Sequence, residues 1–177
     1  YTTGDLPGAE RAFSSAMEGG ASDAWTAELN LAVLLYRRGE RTEALGVFDR
    51  FIDYDNQSSK LSSKDLTAVG AACRYLGVND PELFKDALKA YDEAAAVDPT
   101  DMEPKLEAGE LFLAKYNSPD AHETFKEVLG VNERHPRALL GLARVLHFDG
   151  SPQAIELTRK ALEINPDSSE AHTNLGA

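Results

Sequence analysis

Alanine stands at positions 9, 44, 87, 121 and 154 at the head of one recurring pattern, in steps of 35, 43, 34 and 33 residues. A repeat of about 20–50 residues constrains the fold more than any bulk property, because a unit that short buries its apolar face only by stacking on its neighbours. The pattern is clearest in residues 87–99, 121–128 and 154–166, and weaker in residues 9–16 and 44–51. In each copy small or apolar residues recur at i, i+4 and i+7, the spacing of one helical face. The chain is therefore expected to be all-α.

Each of these helices is paired with a second apolar stretch before it, at residues 29–36, 66–76, 106–116 and 139–148. Short turns join the pairs at Arg38-Gly39-Glu40, residues 77–80, Asn117 and Asp149-Gly150. Asp80-Pro81, Ser118-Pro119 and Ser151-Pro152 are predicted helix starts, since a polar side chain accepts from orphan N–H groups and proline has no N–H to leave unmet. Asp98-Pro99 and Asn165-Pro166 are predicted ends, because the residue before proline is pushed out of the α region.

Period, helix pairing and the placement of small residues make the chain resemble the tetratricopeptide repeat family, whose unit is a helix–turn–helix of about 34 residues. The resemblance covers essentially the whole chain. Its carriers are Gly70, Gly109, Gly141 and Ala32 where helices cross closely, the alanine–aromatic–alanine set of the second helices, and the two terminal prolines. The family's large aromatic early in the first helix is mostly missing, with Trp25 displaced and His172 in the expected place. The resemblance implies a right-handed superhelical solenoid of antiparallel helix–turn–helix repeats over residues 1–177. The repeats are then residues 24–58, 59–100, 101–134 and 135–168, with partial units at 1–23 and 169–177.

The step of 43 exceeds the family period by nine residues, and the excess divides in two. One part is a polar linker, Gln57-Ser-Ser-Lys-Leu-Ser-Ser63, whose Ser62 and Asp65 have the spacing of a capping box. The other lies between Gly70 and Ala87. Residues 1–5 read as the tail of a first helix and residues 169–176 as the start of another, so the chain is expected to be a window on a longer array.

The formal charge is −12, from 18 Lys and Arg against 30 Asp and Glu. Residues 1–58, 59–100 and 101–177 carry −5, −2 and −5, so no segment has the clustered cations that phosphate neutralisation needs, and nucleic acid is excluded as a partner. No apolar run reaches the roughly 18 residues of a membrane span, which excludes direct membrane insertion. One cysteine, Cys73, makes no internal disulfide and leaves the compartment open, cytoplasmic or exported. It falls on the apolar side of a predicted helix, the position of a packing thiol rather than a nucleophile.

Catalytic patterns are missing. His122-Glu123 is not followed by a histidine at helical spacing, and no glycine-rich phosphate loop or nucleophile elbow occurs. Asp53-Tyr-Asp55-Asn56 starts like a calcium loop but lacks its central glycine and has Lys64 where the bidentate glutamate belongs. His122, His135, His147 and His172 are scattered over different helices, so no metal or cofactor is expected. Asn56-Gln-Ser58 is a formal glycosylation acceptor.

The expected function is non-enzymatic: a scaffold binding a protein or peptide segment. By resemblance, the first helices line a concave groove, and the residues facing it are Thr26, Leu29, Val33, Tyr36, Arg37, Lys64, Thr67, Ala71 and Arg74. Glu103, Leu106, Glu110, Leu113, Leu139, Leu142 and Leu146 complete the set. The carboxylate clamp of chaperone-binding members is replaced by Leu29, Val33, Ala68, Glu103 and Glu107, which excludes capture of a chaperone tail. Glu103, Glu107 and Glu110 form one helical stripe, either a lure for a basic segment or a solvated face. Leu29, Leu106 and Leu139 read equally as ligand pockets or as core. Two other expectations stand beside the scaffold: an accessory arm of an enzyme whose catalytic domain lies outside these residues, and a structural subunit that self-associates through uncapped ends.

Overall fold

The computed structural model describes residues 24–58 and 60–176, together with positions 7, 8, 11, 12 and 15. The half-repeat expected at residues 1–5 lies outside the described residues. Of the copy at 9–16, only positions 11, 12 and 15 are described, and they are helical. Every ordered element from residue 24 onward is a helix. They are α1 (Ala24–Arg38), α2 (Arg41–Gln57), α3 (Ser63–Leu76), α4 (Leu83–Val97), α5 (Glu103–Ala114), α6 (Ser118–Val131), α7 (Pro136–Phe148), α8 (Gln153–Ile164) and α9 (Ser169–Gly176).

The chain forms two compact units, Tyr1–Asp98 and Pro99–Ala177. In the first, α1 packs on α2, α2 on α3 and α3 on α4, and α1 also touches α3. In the second, α5–α6 and α7–α8 are hairpins, α6 packs on α7, α8 on α9, and the first helices meet as α5 on α7 and α7 on α9.

The phased alanines explain the hairpins. Ala44, Ala87, Ala121 and Ala154 are all buried at helix crossings, where a larger side chain would hold the backbones apart. Four residues on, Phe48, Tyr91, Phe125 and Thr158 fill the space between helices, and all four are buried. Each large ring meets a small residue. A Cβ on Gly70 would stand 2.5 Å from the Tyr91 ring, and one on Gly109 2.8 Å from Phe125. Phe125 also presses on Gly141 of the following first helix, so one ring is gripped by two glycines from two repeats. Around it, Leu106, Val128, Leu142 and Val145 close a core cluster. The corresponding cluster of the first unit gathers Ala32, Leu35, Phe48, Phe51, Ala68, Ala72 and Leu76.

Helix ends follow the expected chemistry in part. Ser62 and Asp65 form a capping box, each backbone N–H donating to the other's side chain at 3.2 Å. Asp80 and Ser151 accept from the N–H groups of Glu82 and Gln153, but α4 and α8 begin only at Leu83 and Gln153, with Glu82 and Pro152 in the N-cap places. Ser118, by contrast, is already helical, and Asn117 takes the N-cap place, its amide donating to Asp120 at 2.6 Å. Asp98 and Asn165 leave the helix in extended conformation, as expected before proline.

The linker is shorter than expected, because α2 runs on to Gln57 and absorbs part of the inserted length as helix. Asp53, Asp55 and Asn56 therefore lie within a helix, not in a loop that could wrap a cation. The second insertion forms the turn from Gly77 to Glu82, tied by Gly77 and Asp80 N–H groups donating to Cys73 and Leu76.

Three of the turns from first to second helix end in a left-handed residue. Glycine fills it at Gly39 (φ 92°) and Gly150 (φ 71°), but Tyr116 fills it at φ 58°. In all three the next residue's N–H reaches back five positions: Glu40 to Leu35, Asn117 to Phe112, Ser151 to Leu146. A side chain there costs about 1–2 kcal/mol that glycine does not.

Candidate partner-binding faces

In the first unit, Thr26, Leu29, Val33, Tyr36 and Arg37 lie on α1, and Lys64, Thr67, Ala71 and Arg74 on α3, the two first helices that touch. Thr26, Arg37 and Lys64 are exposed, and the other six are half-buried. Tyr36 is less a groove residue than an aromatic linchpin. Its ring meets Tyr75 edge-on at 5.1 Å, Tyr75 stacks on Phe48 at 4.7 Å, and the Arg41 guanidinium lies 5.3 Å from the Tyr36 centroid. These contacts join α1, α2 and α3 at one end. Trp25 ties α1 to α2 alone, stacked on Tyr54 at 4.2 Å and edge-on to Phe51.

In the second unit the leucines divide. Leu106, Leu139 and Leu142 are 1, 3 and 7% exposed and belong to the clusters that hold the helices together, so Leu106 and Leu139 are core, and Leu142, expected at the groove, is core as well. Leu113 and Leu146 pack on the same core but keep part of their surface in solvent. Leu29 is likewise half-buried against its core.

The acidic stripe of α5 is neither a free lure nor a merely solvated face. Arg137 on α7 reaches back to Glu103 at 2.5 Å and Glu107 at 2.8 Å, and Arg144, two turns on, reaches Glu110 at 2.8 Å. Arg144 also lies 3.5 Å from Glu170 on α9. The result is a ladder of alternating charge across three successive first helices, α5, α7 and α9. Burial works against the Arg137 charge, but Glu103 and Glu107 outweigh it and raise its pKa above the ordinary guanidinium value.

Neither arginine was among the residues expected at this face, although the repeat itself carries the signal: Glu103 to Arg137 and Glu110 to Arg144 are both separations of 34 residues. Lys105 pairs with Glu127 of α6 at 2.6 Å, bracing the hairpin instead. Among the described residues no three His, Cys, Asp or Glu side chains gather as a metal site, and no helix is long and apolar enough to cross a membrane.

His135 caps α7, its Nδ1 accepting from the Ala138 N–H at 3.4 Å. Burial and then the Arg137 charge lower its pKa, with Glu103 opposing. A depressed folded pKa means that its stabilising effect is whole above about pH 6.5 and is lost as pH falls through the lowered value. Melting of wild type and His135→Asn, which keeps an acceptor but does not titrate, should agree at pH 8 and separate at pH 5, with wild type the less stable; parallel profiles would refute the cap's role.

Helical hairpins of one period, seated alanine against aromatic, define a helical-repeat protein. The profile of the tetratricopeptide repeat family matches residues 1–59 and 106–169, and the chain belongs to that family. The unmatched stretch contains the turn and part of the linker that lengthen one repeat. The chain is 27% identical over 170 residues to a TPR repeat-containing protein of Methanocaldococcus jannaschii, covering 93% of this chain and 29% of that protein. In structure it is similar to a thermophilic TPR protein of Thermus thermophilus, at TM-score 0.76 and 18% identity over 99% of this chain and 91% of that one. It also resembles YrrB, described as a TPR protein with an unusual peptide-binding site, at TM-score 0.59 and 19% identity over 99% of this chain and 86% of that one.

Proposed function

We propose that this chain is a scaffold that holds an extended segment of a partner protein against the solvent-facing sides of its first helices, each unit presenting its own face. Tetratricopeptide repeat proteins generally mediate protein–protein interaction and are typically non-catalytic. A peptide-binding site is also reported for YrrB. The observation that carries the reading is the ladder from Glu103 and Glu107 through Arg137, and from Glu110 through Arg144 to Glu170. Long charged side chains normally lose rotamer freedom when a partner binds. Here they are already paired, so a partner meets a face that has met part of that entropic cost in folding. Leu113 and Leu146 supply apolar contact in the second unit, and Leu29, Val33 and Ala71 in the first.

The test is selection of short peptides on the full chain, followed by affinity measurement with Leu113→Glu and Lys64→Glu. Selected peptides should lose about tenfold or more in affinity with at least one of them while helical content stays unchanged. Peptides indifferent to both variants would refute the reading. A second reading, an arm of a larger protein with an activity of its own, draws on the Methanocaldococcus relative, of which this chain spans 29%.

A further inference from the structure

The second unit has another surface that the first-helix face does not account for. Tyr116, at the turn between α5 and α6, and Phe148, at the end of α7, are 83% and 68% exposed and line one open groove of about 1030 Å³. Leu146, which also borders the first-helix face, is at its wall, and Glu123, Lys126 and Asp149 surround it. Exposed aromatics this large, lining one groove, are of the residue type enriched among the anchors of protein interfaces. Tyr116 is also held where the equivalent turns place glycine, in the left-handed conformation. A strained, solvated tyrosine does nothing for the fold that Gly39 and Gly150 do not do at their own turns, and strain kept at such a position points to use.

The charges indicate what covers it. Glu127, which also lines the groove, is paired with Lys105. Glu123 and Asp149 form no ion pair among the described residues, and neither does Lys126, so two carboxylates face one ammonium. The chain as a whole carries −12, which repels a second copy of itself and any acidic segment. We infer that the Tyr116–Phe148 groove docks a basic segment of a partner protein, with one bulky apolar side chain between flanking Lys or Arg residues. The apolar side chain packs on the two rings and the cations reach Glu123 and Asp149.

The test uses the full chain and a short fluorescent peptide with a Trp-Leu centre between lysine pairs, beside a glutamate-flanked twin. The lysine peptide should bind at least about tenfold tighter than its twin, with an affinity that falls as salt rises. Tyr116→Gly should weaken binding about tenfold or more without lowering the melting temperature. Glu123→Lys should weaken it severalfold and Lys126→Glu strengthen it, while Leu113→Glu on the other face leaves it unchanged. Equal binding of the twins, no saturable binding, indifference to Tyr116→Gly, or loss on Leu113→Glu would overturn the assignment. So would a fall in melting temperature for Tyr116→Gly, which would make the tyrosine structural. Self-association abolished by Tyr116→Gly would give the groove to a second copy instead.

Discussion

Gly141→Val is expected to destabilise the second unit by about 3 kcal/mol, and Phe125→Leu, itself destabilising, is expected to restore part of that loss. The new Cβ would fall inside the van der Waals shell of the Phe125 ring, which is fully buried and pressed by Gly109 as well. The ring has nowhere to go, and overpacking of a closed core costs about 1–3 kcal/mol or more. Shortening Phe125 alone leaves a cavity worth about 1–2 kcal/mol. In the Gly141→Val background the same change relieves the clash, so its sign reverses. Gly46, on the exposed side of α2, is the control: no atom lies within 4 Å of its would-be Cβ, and Gly46→Ala should gain up to about 1 kcal/mol from helix propensity. Urea unfolding of the four variants decides it, and additive effects of Gly141→Val and Phe125→Leu would contradict the two-glycine grip.

That grip shows which parts of the structure were legible in the sequence. The alanine and aromatic phases report helix packing directly, because close crossings admit only small residues and the aromatic must fill what remains; hence the fold and the family follow from the period. Helix bounds were less legible. The apolar runs begin at residues 29, 106 and 139, but α1, α5 and α7 start three to five residues earlier, in first turns that those runs leave out.

The candidate face was half legible. Register placed Leu106, Leu139 and Leu142 on first helices, yet the same register cannot say which side is covered by the next repeat. These three are covered. The glutamate stripe was visible, but its partners are one period away, and Arg137 and Arg144 emerge only when the repeats are laid against each other for charge as well as for alanine. Tyr116 falls at the end of the apolar stretch expected as helix, yet it stands 34 residues before Gly150, so the period carries its left-handed place while apolar spacing does not.

The remaining large effect concerns Cys73. Its side chain is 2% exposed on α3, and burial, then the charges of Asp86 and Asp55, push the thiol from its ordinary 9.0 up to about 12. At pH 8 the thiolate fraction falls by a factor of about 10³, so an aromatic disulfide reagent should label the folded chain at least about 10³ times more slowly than the urea-unfolded chain. The stability consequence follows from the same shift. Folding favours the neutral thiol, so this contribution is complete below about pH 9 and is lost as pH rises toward 12. At pH 11 the loss is about 2 × 1.36, or roughly 3 kcal/mol, and it is absent from Cys73→Ala. At pH 7 the alanine variant should be the less stable, by about 1–2 kcal/mol of lost packing. The two stabilities therefore cross between pH 9 and 11. Denaturation profiles that stay parallel to pH 11, or labelling of the folded chain as fast as the unfolded, would show that the thiol is not held in the core as α3 places it.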